Sequence, residues 1–349
     1  MSAPLGVGLI GAGPVTQAIH LPALAGLSGR LRVTHVMDVD AGTAEAVAAR
    51  AGAAHSTTVE ELLADPAVDV VAVCSPHQFH AAQAEAACAA GMKAVLVEKP
   101  FATGVEEARR IAKASQESGV PVVVGAMHTY DPAWLAVEPH WGELPRTARL
   151  VRSVIQLPFN ARYESLATQP HSRPAPPPPA DLTDPAVRAA RIHGSILGLA
   201  IHNLPLVRRF LPEITSVDTA ELLAPFGYLV TLRGPDGRTA ELIGHMGPTW
   251  RPEWTFEVWG EEQELQLDFT PSYVRAGSAT AALRTADDEH RFGPYPSNGY
   301  EAEWQHLADL AHRTAVPRYD VGRLVDDLAY AIDIADRAAT VQHSEGAAL

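Results

Sequence analysis

Short apolar runs alternate with amphipathic stretches from the start of the chain. Leu5–Ile10 is apolar and runs into Gly11-Ala12-Gly13, the pattern of a buried strand entering a tight turn. An amphipathic stretch over 14–27 predicts a helix, and 31–37 a second strand closed by Asp38. Helices are predicted over 43–50, 59–63, 78–90 and 105–118, and strands over 68–74, 94–97 and 120–125. Gly91 and Gly119 follow two of these helices as natural caps. Strands that are apolar throughout and alternate with helices predict a parallel sheet covered on both faces. Beyond residue 126 the alternation is lost. Strand candidates lie at 149–157, 216–222, 228–232, 239–245, 254–259 and 264–269, and several of them alternate apolar and polar residues, as an antiparallel sheet with one covered face would. Helices are predicted at 185–210, 299–313 and 320–340.

The expected fold is therefore α/β. A doubly wound parallel sheet occupies 1–125, and an α+β domain with a large open, mostly antiparallel sheet occupies 126–349. The second domain is read as the substrate-binding and oligomerisation domain. Its exposed sheet face predicts a homodimer or homotetramer.

Composition narrows the function. The chain has 349 residues, is 47% hydrophobic and 19% charged, and carries a formal net charge of −14. That suits a compact protein with a sizeable core and opposes binding to nucleic acid or an anionic membrane. No apolar stretch approaches the ~20 residues of a membrane helix. Met1–Ile10 has no basic region before its apolar run, which predicts no signal peptide and a cytoplasmic protein. Cys74 and Cys88 fit neither a disulfide framework nor a zinc motif and are expected to be free thiols. No metal is expected; the spacing of His77 and His80 lacks an acid or cysteine to complete a site. Lysine occurs only at Lys93, Lys99 and Lys113, arginine supplying the rest of the 27 cations. Only lysine readily gives up its proton, so this bias draws attention to Lys99.

Gly11-Ala12-Gly13-Pro14-Val15-Thr16 is a near match to a dinucleotide-binding turn, with Thr16 in place of the third small residue. The first glycine permits the turn, and the second lets backbone approach a pyrophosphate at the helix N-terminus. Asp38 ends the second strand, where an acid accepts hydrogen bonds from a ribose 2′-hydroxyl and repels a 2′-phosphate. NAD is the expected cofactor, in preference to NADP.

Further residues carry a family resemblance. His20-Leu21-Pro22-Ala23-Leu24 follows the turn, Ser75-Pro76 follows the strand ending at Cys74, and His80 opens the next helix. Gly91-Met92-Lys93-Ala94-Val95-Leu96-Val97-Glu98-Lys99-Pro100 comes next. In this order they resemble the Gfo/Idh/MocA oxidoreductases, the relatives of glucose-fructose oxidoreductase and inositol dehydrogenase. The likeness is dense over the N-terminal domain. It is thinner through Gly125–Pro132, the helix around His202 and the strand Phe256–Gly260.

The resemblance implies an N-terminal Rossmann domain and oxidation or reduction of a carbinol in a sugar, cyclitol or related polyol. It implies cofactor-binding roles for Gly11, Gly13, Pro14, Val15, Asp38, Ser75, Pro76, His80, Glu98 and Lys99. It gives Lys99 a catalytic role, bonding the reacting oxygen and moving its proton. Such a donor also stabilises the negative charge that hydride transfer develops on oxygen. His202 matches a second catalytic position. The family commonly has aspartates four residues before and three after this histidine; here those positions are Gly198 and Pro205. On one continuous helix, 198 and 202 would share a face, and that face would lack its carboxylate. His128, Tyr130 and Asn203 are candidate substrate contacts.

The expected activity is an NAD-dependent oxidoreductase acting on a hydroxyl or keto group of a sugar, cyclitol or nucleoside-like molecule. The alternative is a redox-neutral enzyme that uses tightly bound NAD for transient oxidation, as in elimination, epimerisation or glycoside cleavage. The space at Gly198 is expected to admit a bulkier substrate or a water. The proline-rich segment 170–185 reads as a stiff connection or as a lid near the site.

Overall fold

In the computed structural model, residues 3–172 and 180–347 are described. The centre of the proline-rich segment read as a connection or a lid, 173–179, lies outside them. The chain divides into two compact units. The first comprises Met1–Met127, Tyr163–Ala175 and Tyr300–Leu328; the second comprises His128–Arg162, Pro176–Gly299 and Ala329–Leu349.

The first unit holds a six-stranded parallel sheet. Its strands are β1 (Leu5–Ile10), β2 (Leu31–Met37), β3 (Ala54–Ser56), β4 (Val70–Val73), β5 (Ala94–Val97) and β6 (Val122–Val124). Their order is β3-β2-β1-β4-β5-β6, the doubly wound Rossmann arrangement. β1, β4, β5 and β6 are buried along their whole length, because helices cover both faces. The order reverses between β1 and β4, and their C-terminal ends open the crevice where such sheets bind ligands. The first crossover is irregular: a π-helical turn, Thr16–His20, leads into a helix over Leu21–Gly26.

The second unit holds an eight-stranded sheet. Its strands are β7 (Leu150–Leu157), β8 (Ser216–Glu221), β9 (Phe226–Arg233), β10 (Thr239–Met246), β11 (Glu253–Trp259), β12 (Glu264–Asp268), β13 (Thr280–Arg284) and β14 (Glu289–Phe292). The order is β14-β13-β12-β11-β7-β10-β9-β8, antiparallel except for the β7–β10 pair. Alternate residues Val151, Ile155, Leu242, Trp254, Phe256, Val258, Leu265 and Leu267 turn inward and are buried. Phe256 packs with Phe210 and Trp134, each worth about 1.5–3 kcal/mol in burial.

The helix predicted across 185–210 is interrupted. It ends at Gly198, passes through a non-helical residue at Leu199 (φ −120°, ψ −53°) and a 3-10 turn at Ala200–His202, then restarts at Leu204–Phe210. Pro205 therefore disturbs no helix. It stands in the first turn of a new one, where its missing N–H costs nothing. Gly198 and His202 therefore do not share a helical face, because the break at Leu199 separates them.

Candidate functional site

In the first unit the residues after β1 build a tight turn. Gly11 has φ +94°, and a Cβ there would lie 2.7 Å from Ser75 N and 2.8 Å from Cys74 C and O. Backbone on the neighbouring strand leaves no room, so the position requires glycine. A Cβ on Gly13 would meet nothing within 4 Å. The turn therefore presents open backbone at the helix start around Pro14 and Val15, as close approach of a pyrophosphate demands. Thr16 is fully buried and donates its hydroxyl to Gly11 O at 2.6 Å. The departure from a small residue thus contributes a bond that ties the helix to the turn. Gln17 adds another, Nε2 to Ala12 O at 2.7 Å.

Asp38 follows β2 and reaches the same turn. Its Oδ2 accepts from Ala12 N at 2.8 Å and its Oδ1 from Asp40 N at 3.0 Å. A carboxylate has about four lone-pair positions, so capacity for a ribose hydroxyl remains. The acid both shapes the turn and brings a negative charge beside it.

Beyond β4, Ser75 Oγ donates to Gln83 Oε1 at 2.5 Å. Pro76 leads into the short turn that precedes His80. His80 is buried with Nε2 2.8 Å from Ser75 O and Nδ1 2.9 Å from Pro100 O. Its ring thereby spans the loops after β4 and β5. Burial lowers its pKa, against the two carbonyls.

Beyond β5, Glu98 is buried and stands at the centre of a polar cluster. Its Oε1 meets His20 Nε2 at 2.9 Å, and its Oε2 accepts from the Lys99 backbone N at 3.0 Å. A Cβ on Gly125 would come within 3.2 Å of both Glu98 carboxylate oxygens. Burial opposes ionisation, but His20 and Lys99 outweigh it and hold Glu98 below the usual carboxylate range. His20 Nδ1 lies 3.1 Å from Trp304 Nε1. Indole N–H can only donate, so Nδ1 accepts and the ring proton sits on Nε2, towards Glu98. Desolvation pushes the Lys99 ammonium below its usual range, opposed by the Glu98 charge. An amine so placed exchanges protons closer to neutrality than a surface lysine.

The second unit brings together His128, Asn203 and His202. His128 stacks on Phe269 with ring centroids 3.7 Å apart and meets Trp254 edge-on at 4.5 Å. Its Nδ1 lies 2.6 Å from Asn203 Oδ1, which also accepts from Trp254 Nε1 at 3.2 Å. Asn203 Nδ2 donates to Ser153 Oγ at 2.9 Å. Burial pushes the His128 pKa down to about 3 against the Asn203 hydrogen bond. The ring is therefore neutral, with Nδ1–H donating. The amide of Asn203 is largely committed to this internal network, and its geometry is that of a group holding His128 and Trp254 in place. His202 is buried beside them, its ring 5.4 Å from Trp254 and 6.3 Å from His128. Tyr130 is buried near the start of this unit.

A lowered histidine pKa makes stability depend on acid. The unfolded state binds the proton near 6.5 and the folded state only near 3, so stability is complete above 6.5 and falls as pH drops between these values. We expect a loss of about 1.4 kcal/mol per pH unit across that window. Urea unfolding from pH 7 to pH 4 checks it: His128→Gln should flatten the slope.

At Gly198 a Cβ would stand 3.0 Å from Phe226 Cζ. The space expected for a bulkier substrate or a water is instead occupied by the edge of an aromatic ring. Gly198→Asp is accordingly expected to give no gain in turnover and to lower stability, because a carboxylate would be pressed against Phe226; activity assays and thermal melts check both parts.

Sequence reasoning passed over Glu303 and Trp304. Both lie on the helix Gly299–Ala311, and both are fully buried. The signal was available, since Tyr300, Glu303, Trp304, Leu307 and Ala308 follow helical spacing and an acid interrupts an apolar stripe.

The oxidoreductase family defined by an NAD-binding Rossmann fold, Gfo/Idh/MocA, matches residues 5–126. The N-terminal segment is thus similar to that family. Within the matched segment lie the glycine turn, Asp38, Ser75-Pro76, His80 and Glu98-Lys99-Pro100. Among curated relatives, 4-carboxy-2-hydroxymuconate-6-semialdehyde dehydrogenase of a Sphingobium species is 38% identical over 128 residues, covering 36% of this chain and 40% of that protein. Inositol 2-dehydrogenase 1 of Saccharopolyspora erythraea is 39% identical over 133 residues, covering 37% of this chain and 39% of that protein. The matches thus span less than half the length of these relatives. Among solved structures, UDP-N-acetylglucosamine 3-dehydrogenase from Acidithiobacillus ferrooxidans superposes with a TM-score of 0.74 at 20% identity, covering 98% of this chain and all of that one. That likeness establishes the fold over the whole chain. Among the described residues, no helix is long and apolar enough to cross a membrane.

Proposed function

We propose that the protein is an NAD-dependent oxidoreductase acting on a hydroxyl or keto group of a sugar, cyclitol or nucleoside-like molecule. The observation that carries this reading is the desolvated Lys99 side chain at the end of β5, next to Glu98, whose carboxylate the Lys99 backbone N–H binds, in the same unit as a turn that fits a pyrophosphate. The names of the relatives support it, being those of dehydrogenases, one of them of inositol. Gly11, Gly13, Pro14, Val15 and Asp38 would hold the adenosine and pyrophosphate side of NAD, and Ser75, Pro76, His80 and Glu98 would line its nicotinamide side. When bound, NAD supplies a hydride acceptor or, reduced, a donor.

The chain's own part is proton handling. In the reducing direction the Lys99 ammonium donates a hydrogen bond to the carbonyl oxygen, stabilises the charge developing there and delivers the proton. In the oxidising direction Lys99, as the neutral amine, takes the hydroxyl proton. Glu98 keeps an opposite charge beside it, and His20 fixes the orientation of Glu98. His202 is the second proton-handling residue in this reading, with Asn203, His128 and Tyr130 shaping the substrate side. A homodimer or homotetramer assembled through the outer face of the second sheet belongs to the same reading. It is supported by the half-exposed row Leu229, Ile243 and Val154 across β9, β10 and β7.

Asp38 sets the cofactor preference. Asp38→Ser is expected to narrow the gap between NAD and NADP by about tenfold or more, read by calorimetric titration of both cofactors. It should also weaken NAD itself, because the Ala12 N–H loses its carboxylate partner. An unchanged preference would remove Asp38 from recognition.

A second reading, a redox-neutral reaction with tightly held NAD, comes from the sequence, which has Gly198 and Pro205 where the resembled family commonly has aspartates. A panel of polyols, cyclitols and nucleosides, assayed for NADH absorbance and for product by mass spectrometry, separates the two. Product with matching NADH supports net oxidation. Product without it supports the redox-neutral reaction. No product from any class would count against both.

A further inference from the structure

The first unit takes in a stretch beginning at Tyr163, from the middle of the connection between β7 and the helix that starts at Pro185, although both ends of that connection belong to the second unit. Within the first unit this stretch is tied down by hydrogen bonds. Arg50 Nη2 donates to Thr168 Oγ1 at 2.8 Å, and His171 N donates to Gln17 Oε1 at 2.9 Å. Arg50 Nη1 donates to the same Gln17 oxygen at 2.8 Å. Leu166, Ala167, Gln169 and His171 are exposed, and Ala167 and Thr168 border a groove of about 380 Å³ with Gln17 and Arg50. Polar bonds, rather than buried apolar area, thus hold residues 166–171.

Gln17 carries this contact into the dinucleotide turn. The side chain is fully buried, and its Nε2 donates to Ala12 O at 2.7 Å while its Oε1 accepts from Arg50 and His171. A carbonyl only accepts and these N–H groups only donate, so the partners fix which end of the amide faces which way. Ala12 O belongs to the peptide whose other end is the Gly13 N–H, and that peptide is trans. In a trans peptide the C=O and the N–H point in opposite directions. Holding the carbonyl on Gln17 therefore aims the Gly13 N–H away from Gln17, at the glycine where an added Cβ would meet nothing within 4 Å.

We infer that Gln17 is a positioning residue for the cofactor, seated by residues 168–171 so that the Gly13 N–H is aimed at the pyrophosphate, and that docking of this segment and binding of the dinucleotide are coupled. The inference rests on the reading of the turn as an NAD site. Coupling is reciprocal: whatever factor the docked segment adds to cofactor affinity, bound cofactor adds to docking of the segment. A segment that merely packed on the surface would show neither effect.

The test uses NAD and ADP-ribose, which has the adenosine and pyrophosphate but no nicotinamide. In the wild-type protein, hydrogen exchange of the peptide covering 163–172 should slow by about fivefold or more when ADP-ribose binds, the lower end of typical coupling. His171→Pro removes the N–H that meets Gln17 at an exposed position, and Thr168→Val removes the acceptor for Arg50. His171→Pro should weaken NAD and ADP-ribose equally, by about the factor seen in exchange, and Thr168→Val should act in the same direction. Gln17→Glu separates the two halves: its carboxylate still accepts from Arg50 and His171 N but cannot donate to Ala12 O. In that variant affinity should fall and ADP-ribose should no longer slow exchange of the segment. Wild-type protein that binds neither ligand would overturn the cofactor reading and this inference together. Binding by the wild type with the same affinity in His171→Pro and Thr168→Val, exchange indifferent to ADP-ribose, or a loss for NAD that spares ADP-ribose would overturn this inference alone.

Discussion

Lys99→Met is expected to lower turnover by ~10²-fold or more while leaving folding and NAD affinity nearly intact. Methionine keeps most of the length and the apolar character of the lysine stem but has no proton to donate and no charge to stabilise a developing oxyanion. The effect belongs in turnover, because the donor acts on charge that appears only as the reaction proceeds. Glu98 would be left buried without its cation, but His20 still holds Oε1 at 2.9 Å, so the cluster should survive. Steady-state kinetics with whichever substrate the panel yields, beside calorimetry with NAD, separates the two quantities. Near-normal turnover would remove Lys99 from the mechanism. Because its pKa is lowered, the neutral amine becomes available at lower pH than in an ordinary lysine. The pH–rate profile for alcohol oxidation should therefore rise nearer neutrality than the usual lysine value would allow.

Gly11→Ala should have the largest effect on cofactor binding. The added methyl would stand 2.7–2.8 Å from backbone atoms of Cys74 and Ser75, and the position has φ +94°. Backbone cannot give way as a flexible side chain can, and the left-handed conformation alone costs about 1–3 kcal/mol for a non-glycine residue. The turn would shift, and with it the Ala12 N–H that Asp38 holds and the Gly11 carbonyl that Thr16 holds. The expected result is a loss of NAD affinity of at least about tenfold with a fall in melting temperature. Gly13→Ala offers the contrast: with nothing within 4 Å of its Cβ, it should fold normally and impair only cofactor binding.

What the sequence made legible follows from how local each signal is. The parallel sheet was readable because β1 and β5 are short apolar runs bounded by glycine or charge, and the limits expected for β2 and β5 agree with the structure. The cofactor turn and the Glu98-Lys99-Pro100 segment were readable because each is a contiguous motif at a strand end. β3 has three residues, and β13 is Thr-Ala-Ala-Leu-Arg, too short or too poor in β-branched residues to stand out. The break at Leu199 was hidden because apolar spacing continues across it. Pro205 was the available sign, since proline favours the first turn of a helix. Phe226 against Gly198, and the burial of Glu303 beside Trp304 in the chain, are made by folding. No single-residue pattern announces them, although an acid on the apolar stripe of a helix was a visible anomaly.

The central claim is that chemistry at a substrate carbinol passes hydrogen to and from nicotinamide under the control of Lys99. The most direct measurement uses a substrate from the panel carrying deuterium on its carbinol carbon. The wild-type protein and Lys99→Met are each incubated with NAD, denatured, and the released cofactor examined by mass spectrometry. Deuterium should appear on the nicotinamide from the wild-type protein, with or without net NADH release, and its appearance should be slowed by ~10²-fold or more in Lys99→Met. Product formed by the wild-type protein while the nicotinamide never carries deuterium would contradict the account.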